Sequence, residues 1–305
     1  MAPAHRRALR LLWRIFALLL LGALQLAAAV WWYLHPSAEV TRGVVYGRRQ
    51  GQDLILEVHR PRNPNGAGLL LLVSGKWKSH PGKFDPWLAG PALRQGLTVF
   101  AITHLSQPQA SVQEIVDDMH RAVRFVRHHA ADYGVHPRRL AVTGGSSGGH
   151  LSLMLATLGG PGPADAPDPI DREDSSVQAA AVFFPVTDLI DLGSSTENDG
   201  TGGPPRSFKK AFGPAAANLA EWRRIGREIS PIFHVDANLP PVIIAHGDAD
   251  TLVPLEQSER FRQRASALGH DIPLLVRPGA RHGWLTMPWD FRTFALWVNE
   301  RLPAL

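Results

Sequence analysis

The sequence predicts an α/β protein, and three observations carry that expectation. Short apolar runs recur between helical patterns, a Gly-x-Ser-x-Gly turn joins one run to a helix, and an acid and a histidine follow later runs. The strand-like runs lie at 53–58, 68–73, 97–102, 140–143, 177–184, 242–245 and 272–276. A mostly parallel central sheet flanked by helices accounts for their alternation with helical segments.

Taken from the N-terminus, residues 15–34 are apolar except for Gln25 and follow Arg6, Arg7, Arg10 and Arg14. About twenty helical residues, at a rise of about 1.5 Å each, span a hydrocarbon core of about 30 Å. Ala27, Ala28 and Ala29 offer a cleavage site for a secreted form, but the apolar character continues through Trp31, Trp32 and Tyr33, which read as an interfacial belt. The expected organisation is a basic tail (1–14), a membrane anchor or signal sequence (15–34) and one catalytic domain (38–305). The arginines would stay cytoplasmic, placing the domain on the periplasmic or extracytoplasmic side.

Within the domain, 111–130 sets Val112, Ile115, Val116, Met119, Ala122, Val123 and Val126 at three- and four-residue steps, making one apolar helix face. His120, His128 and His129 go with this helix. The last two are neighbours that point apart, so a solvated surface is expected there and not a metal site. Further helices are expected at 151–158, 255–268 and 288–302. The aperiodic, Gly- and Pro-rich stretches 159–176 and 193–213 read as loops on the active-site rim, the second continuing into a helical patch at 215–229, so that 159–176 and 193–229 form cap insertions. Trp77, Trp87, Trp222, Trp284 and Trp289 are expected in core packing, with Trp284 the first choice for a stacking role.

The segment from Thr143 to His150 reads Thr-Gly-Gly-Ser-Ser-Gly-Gly-His. A strand turning sharply into a helix lifts a serine hydroxyl clear of the sheet, with glycines where a Cβ would collide. Ser146 is flanked by Gly144 and Gly148, and Ser147 by Gly145 and Gly149, so the pattern alone fits both serines. A phosphate loop fits neither the spacing nor the absence of a following lysine. The buried-strand run 240–245 ends in His246-Gly247-Asp248-Ala249-Asp250, putting two carboxylates at the edge where open α/β sheets bind ligands. The run 272–276 is followed by Pro278-Gly279-Ala280-Arg281-His282, and His282 is the expected base.

In these motifs the chain resembles an α/β-hydrolase of the acetyl-xylan and feruloyl esterase-like and hormone-sensitive-lipase-like branch, near the prolyl-oligopeptidase-like hydrolases. The resemblance extends from about residue 40 to the C-terminus and includes Tyr133-Gly134-Val135-His136-Pro137 and Ser230-Pro231. It selects Ser146, because 144–149 is similar to the Gly-Asp-Ser-Ala-Gly-Gly elbow of esterases. It selects Asp250 through the His-Gly-x-x-Asp-x-x-Val-Pro pattern, leaving Asp248 to fix the loop. It implies an oxyanion hole from Gly75, Lys76 and Ser147, although Ser74 and Lys76 replace the usual His and second Gly. Lys76 either points to water or favours anionic substrates. The implied activity is serine hydrolysis of a small-molecule carboxylic ester through an acyl-enzyme. A peptidase, or a silent binding protein with this fold, is the alternative.

Composition sets outer bounds. Four of the positive charges behind the net +5 precede residue 15, leaving about +1, so nucleic-acid binding is not expected. The chain has no cysteine, which removes disulfides and a thiol nucleophile. No dinucleotide fingerprint is present, and neither a cofactor nor a metal is expected.

Overall fold

The computed structural model describes residues 2–82 and 84–304, with side chains from Leu9 onward except at 83. Eight strands, β1 (Ala38–Arg49), β2 (Gln52–Pro61), β3 (Gly68–Leu72), β4 (Thr98–Ile102), β5 (Leu140–Gly145), β6 (Ala179–Phe183), β7 (Val242–Gly247) and β8 (Leu274–Arg277), form one sheet. Their order is β1-β2-β4-β3-β5-β6-β7-β8. β2 pairs antiparallel with both β1 and β4, and every pair from β4 through β3 to β8 is parallel.

Around the sheet run α1 (Ala2–Leu34), α2 (Gly90–Arg94), α3 (Val112–His128), α4 (Ser147–Leu158), α5 (Pro169–Arg172), α6 (Leu219–Glu228), α7 (Leu255–Ser266) and α8 (Met287–Arg301). The sheet needs cover on both faces because β4 and β6 are buried along their whole length. The two-residue strand period divides the core accordingly. Leu70, Phe100, Val142 and Ile244 face the layer of Met119, Leu151, Trp222 and Phe261. Their neighbours Leu69, Val99, Ala141 and Ile243 face Leu93, Phe294 and Val298.

α3 starts where its sequence dictates. The Ser111 hydroxyl accepts from the Glu114 amide (3.3 Å) and the Glu114 carboxylate accepts from the Ser111 amide (2.8 Å), a reciprocal cap worth about 1 kcal/mol. All seven expected apolar positions of this helix are buried. His128 is exposed and His129 half-exposed, in contact with Glu173 and Asp132, whereas His120 is half-buried with Nδ1 3.0 Å from Ser175 Oγ. No metal-binding cluster occurs among the described residues.

Two further expectations need correction. The stretch 159–176 does not border the active-site edge: it follows α4 and leads into β6, so it lies at the edge where the strands begin. There Asp168 and Asp171 bind Arg121 of α3, each at 2.6 Å. The stretch 193–229 does follow a strand end, and its Ser195, Glu197, Pro205 and Phe208 line the pocket beside Ser146. The apolar N-terminal segment is one helix with the basic tail. Leu9–Leu34 is long and apolar enough to cross a membrane, Arg10 and Arg14 are exposed, and the Arg6 and Arg7 side chains lie outside the described residues. Its last turn is held by Arg94, which donates to the Trp32 and Tyr33 carbonyls and stacks 3.7 Å over the Trp32 ring.

Candidate active site

β5 ends at Gly145 and α4 begins at Ser147, so the whole reversal falls on Ser146, held at φ 55° and ψ −121°. An L-residue adopts that region only at a cost of about 1–3 kcal/mol, which the surrounding packing must impose. At Gly148 a Cβ would stand 2.6 Å from the Leu72 carbonyl oxygen, so glycine lets α4 approach β3. The constraint resolves the two serines spatially. Ser146 is part-exposed at the turn, whereas Ser147 is buried with its hydroxyl 3.1 Å from Ser74 Oγ and accepting the Trp77 amide at 3.0 Å.

Past the end of β7, Asp250 turns its carboxylate inward. Oδ1 accepts the amides of Leu252 and Val253, both at 3.0 Å, and Oδ2 lies 2.6 Å from His282 Nδ1. His246 anchors this loop from below through Ser258 (2.7 Å) and the Val253 carbonyl (2.8 Å), with Nε2 3.5 Å from Asp250 Oδ2. Burial works against the charge on Asp250. Hydrogen bonds from His246 and His282, the charge of His282 and the Val253 amide outweigh it and hold the carboxyl well below the usual carboxylate range. Asp248 is exposed and accepts the Gly279 amide (2.7 Å), tying together the loops that follow β7 and β8. His282 Nε2 lies 2.9 Å from Ser146 Oγ, and its ring packs 4.5 Å from that of Phe184. Serine, histidine and aspartate therefore stand in one hydrogen-bonded line.

The segment after β3 departs from expectation. Gly75 and Lys78 exchange both backbone hydrogen bonds (3.0 and 2.9 Å), closing a two-residue hairpin around Lys76 and Trp77, whose φ values are 59° and 52°. Gly75 is thereby corrected as an oxyanion donor, since its amide already serves the Lys78 carbonyl. The Trp77 amide serves Ser147 Oγ. The amides of Lys76 and Ser147 donate to no acceptor among the described residues. The Lys76 side chain is exposed and borders the pocket.

Two buried histidines, His104 and His150, support this hairpin, and sequence reasoning gave neither a role. His104 Nδ1 donates to the Leu105 carbonyl (2.7 Å), and burial pushes this imidazole down to about 4, so at neutral pH Nε2 accepts from Ser74 Oγ (2.9 Å). Ser74 must then accept from Ser147, which accepts from Trp77: each proton in the chain has one direction. His150, likewise pushed down to about 4 by burial, accepts the Trp77 indole N–H (3.2 Å) and donates to the Ile229 carbonyl (2.6 Å) at the end of α6. Of the tryptophans, Trp77 and Trp222 are core residues, Trp284 packs on Phe183 and Phe184, and Trp289 is exposed.

The pocket beside Ser146 is small, about 40 Å³, with Trp77, Val186, Leu189, Phe208 and Val253 among its walls. It is bounded mostly by apolar side chains.

A sheet of this order, with a serine on a strained strand–helix turn and an acid and histidine after later strands, defines an α/β hydrolase. The chain belongs to the BD-FAE family, whose model matches residues 72–265. It is 30% identical over 218 residues to the probable carboxylic ester hydrolase LipM of Mycobacterium tuberculosis, covering 71% of this chain and 48% of that protein. It is 29% identical to esterase LipQ of the same organism, covering 81% and 58%. The chain thus spans about half the length of these curated relatives. Among solved structures, propionate-bound esterase 2 of Thermogutta terrifontis is 26% identical with a TM-score of 0.68, covering 88% of this chain and 97% of that one. A truncated carbohydrate esterase from gut microbiota shares the fold at a TM-score of 0.72 and 24% identity, covering 87% and 98%.

Proposed function

We propose that this chain hydrolyses carboxylic esters with short acyl groups, using Ser146 as nucleophile, His282 as base and Asp250 as its partner. The observation that carries the reading is the pair of hydrogen bonds in series, Ser146 to His282 at 2.9 Å and His282 to Asp250 at 2.6 Å. His282 takes the Ser146 proton as Oγ attacks the acyl carbon, and Asp250 holds the imidazole tautomer and stabilises the imidazolium. The tetrahedral oxyanion is met by the unengaged amides of Lys76 and Ser147. Collapse expels the alcohol, which takes the proton from His282, and leaves an acyl-Ser146. Water, activated by His282, then releases the acid and restores the serine.

The pocket volume favours acetyl to butyryl groups. The esterase relatives, and the propionate-bound neighbour, support the same class. α1 supports a single-pass anchor, and the arginines ahead of residue 15 support an extracytoplasmic domain.

Stopped-flow hydrolysis of p-nitrophenyl acetate tests the acyl-enzyme. Wild type should release a burst of about one p-nitrophenolate per enzyme, and Ser146→Ala none, with the steady rate lowered about a thousandfold or more. Unchanged turnover in Ser146→Ala would refute the mechanism. Equal turnover of aminoacyl anilides would move the activity to peptides.

A further inference from the structure

We propose that the face carrying Leu88, Leu285 and Trp289 docks on the bilayer that holds α1, and that the cavity behind it receives the hydrocarbon part of an ester drawn from that bilayer. The proposal rests on the anchor and on the hydrolytic reading above. Leu285 is 97% exposed and stands three residues beyond His282; Trp289 is 48% exposed and Leu88 37%. Such apolar side chains in water forgo the gain that burial would bring. Trp289 and the turn after Leu88 meet the end of α1, and Leu285 precedes Trp289 by four residues at the start of α8. The Tyr33 ring lies 6.0 Å from that of Trp289, edge to face, and a Cβ at Gly90, two residues past Leu88, would collide with the Leu34 carbonyl.

Arg94 completes this junction, so helix and domain meet without a spacer. The level at which α1 leaves the hydrocarbon therefore fixes the level of these residues. Trp31 and Trp32, themselves exposed, mark it as the interface where amphipathic rings settle.

Behind the patch lies a mostly apolar cavity of about 420 Å³. Leu88, Phe84 and Met287 line it toward the α1 junction, and Phe184 and Gly145 line it toward the elbow, Gly145 being the residue before Ser146. It lies on the side of the elbow away from the small acyl pocket. A short acyl group in one and an alkyl-bearing alcohol in the other describe an amphiphilic ester that resides in a membrane.

Because the chain has no cysteine, Leu285→Cys can carry a single nitrobenzoxadiazole label in the full chain reconstituted into phosphatidylcholine vesicles. Its emission should shift to the blue and be quenched by nitroxide-bearing lipid, while the same label at Asp165→Cys, beyond the opposite face of the sheet, stays water-like. A water-like, unquenched label at 285 would overturn the docking. In a second arm, the double variant Leu285→Ser, Trp289→Ser should turn over an acetyl ester of a long-chain alcohol held in vesicles about tenfold more slowly, as befits two lost contacts, with dissolved p-nitrophenyl acetate changed less than about twofold. Equal loss on both substrates would overturn delivery from the bilayer. The label reads docking whether or not the chain hydrolyses either ester, so a failure of the hydrolytic reading is seen separately.

Discussion

At Ser74 a hydroxyl stands where the resemblance leads one to expect an imidazole, and the imidazole comes instead from His104, just past the end of β4. The chain from His104 through Ser74 and Ser147 to the Trp77 amide turns that amide away from the site and leaves Lys76's free. His104→Phe removes the acceptor for Ser74 and the donor for Leu105. Steady-state ester kinetics should show kcat lowered about tenfold or more with KM nearly unchanged, since a misplaced oxyanion donor matters mainly in the transition state. His104→Gln, able to accept and donate, should recover part of the loss. A change confined to KM would assign His104 to substrate binding. The proposed triad could be picked out in the sequence because each member follows a strand end at recognisable spacing. The hairpin was not: left-handed backbone at a lysine and a tryptophan has no signature in residue type, and His104 lies thirty residues from its partner.

Among the elements, α4 does more than follow the proposed nucleophile. His150 joins it at one ring nitrogen to the hairpin after β3 and at the other to the end of α6, linking the segment that walls the pocket to the segment proposed to meet the oxyanion. His150→Leu leaves a buried indole N–H and a carbonyl unpaired, each costing about 1–3 kcal/mol. Calorimetry should show the melting temperature lowered by several degrees, at about 2–4 °C per kcal/mol for a domain of this size. An unchanged melting temperature would mean that water replaces the ring. The strands that sequence reading found, β2 to β8, are those whose residues form an apolar run. It missed β1, an edge strand paired only to β2 and mostly exposed, where Glu39, Thr41, Arg42 and Arg48 replace the apolar run expected of a strand. The short α2 and α5, at five and four residues, carry too few positions to display a period.

Over the whole molecule, neutral histidines tie stability to pH. Burial holds His104, His120 and His150 neutral down to about pH 4, whereas an unfolded histidine takes up its proton near 6.5. Between those values the unfolded chain binds more protons, so these contributions are complete above about pH 6.5 and are lost progressively as pH falls toward about 4. Each fully buried ring adds at most about 1.4 kcal/mol per pH unit, and His120, which meets some water, adds less. Asp250, shifted downward, adds to the loss only below the ordinary carboxylate range. Urea midpoints should decline between pH 6.5 and 4.5, and less steeply in His150→Leu. A flat profile would show that these rings titrate normally in the fold.

The central claim is that Ser146, not its neighbour, forms the covalent bond. Peptide mapping by mass spectrometry after reaction with a fluorophosphonate measures it directly. A single adduct on Ser146, abolished in Ser146→Ala and Asp250→Asn-slowed, is the predicted result; an adduct on Ser147, or none on the folded wild type, would contradict it.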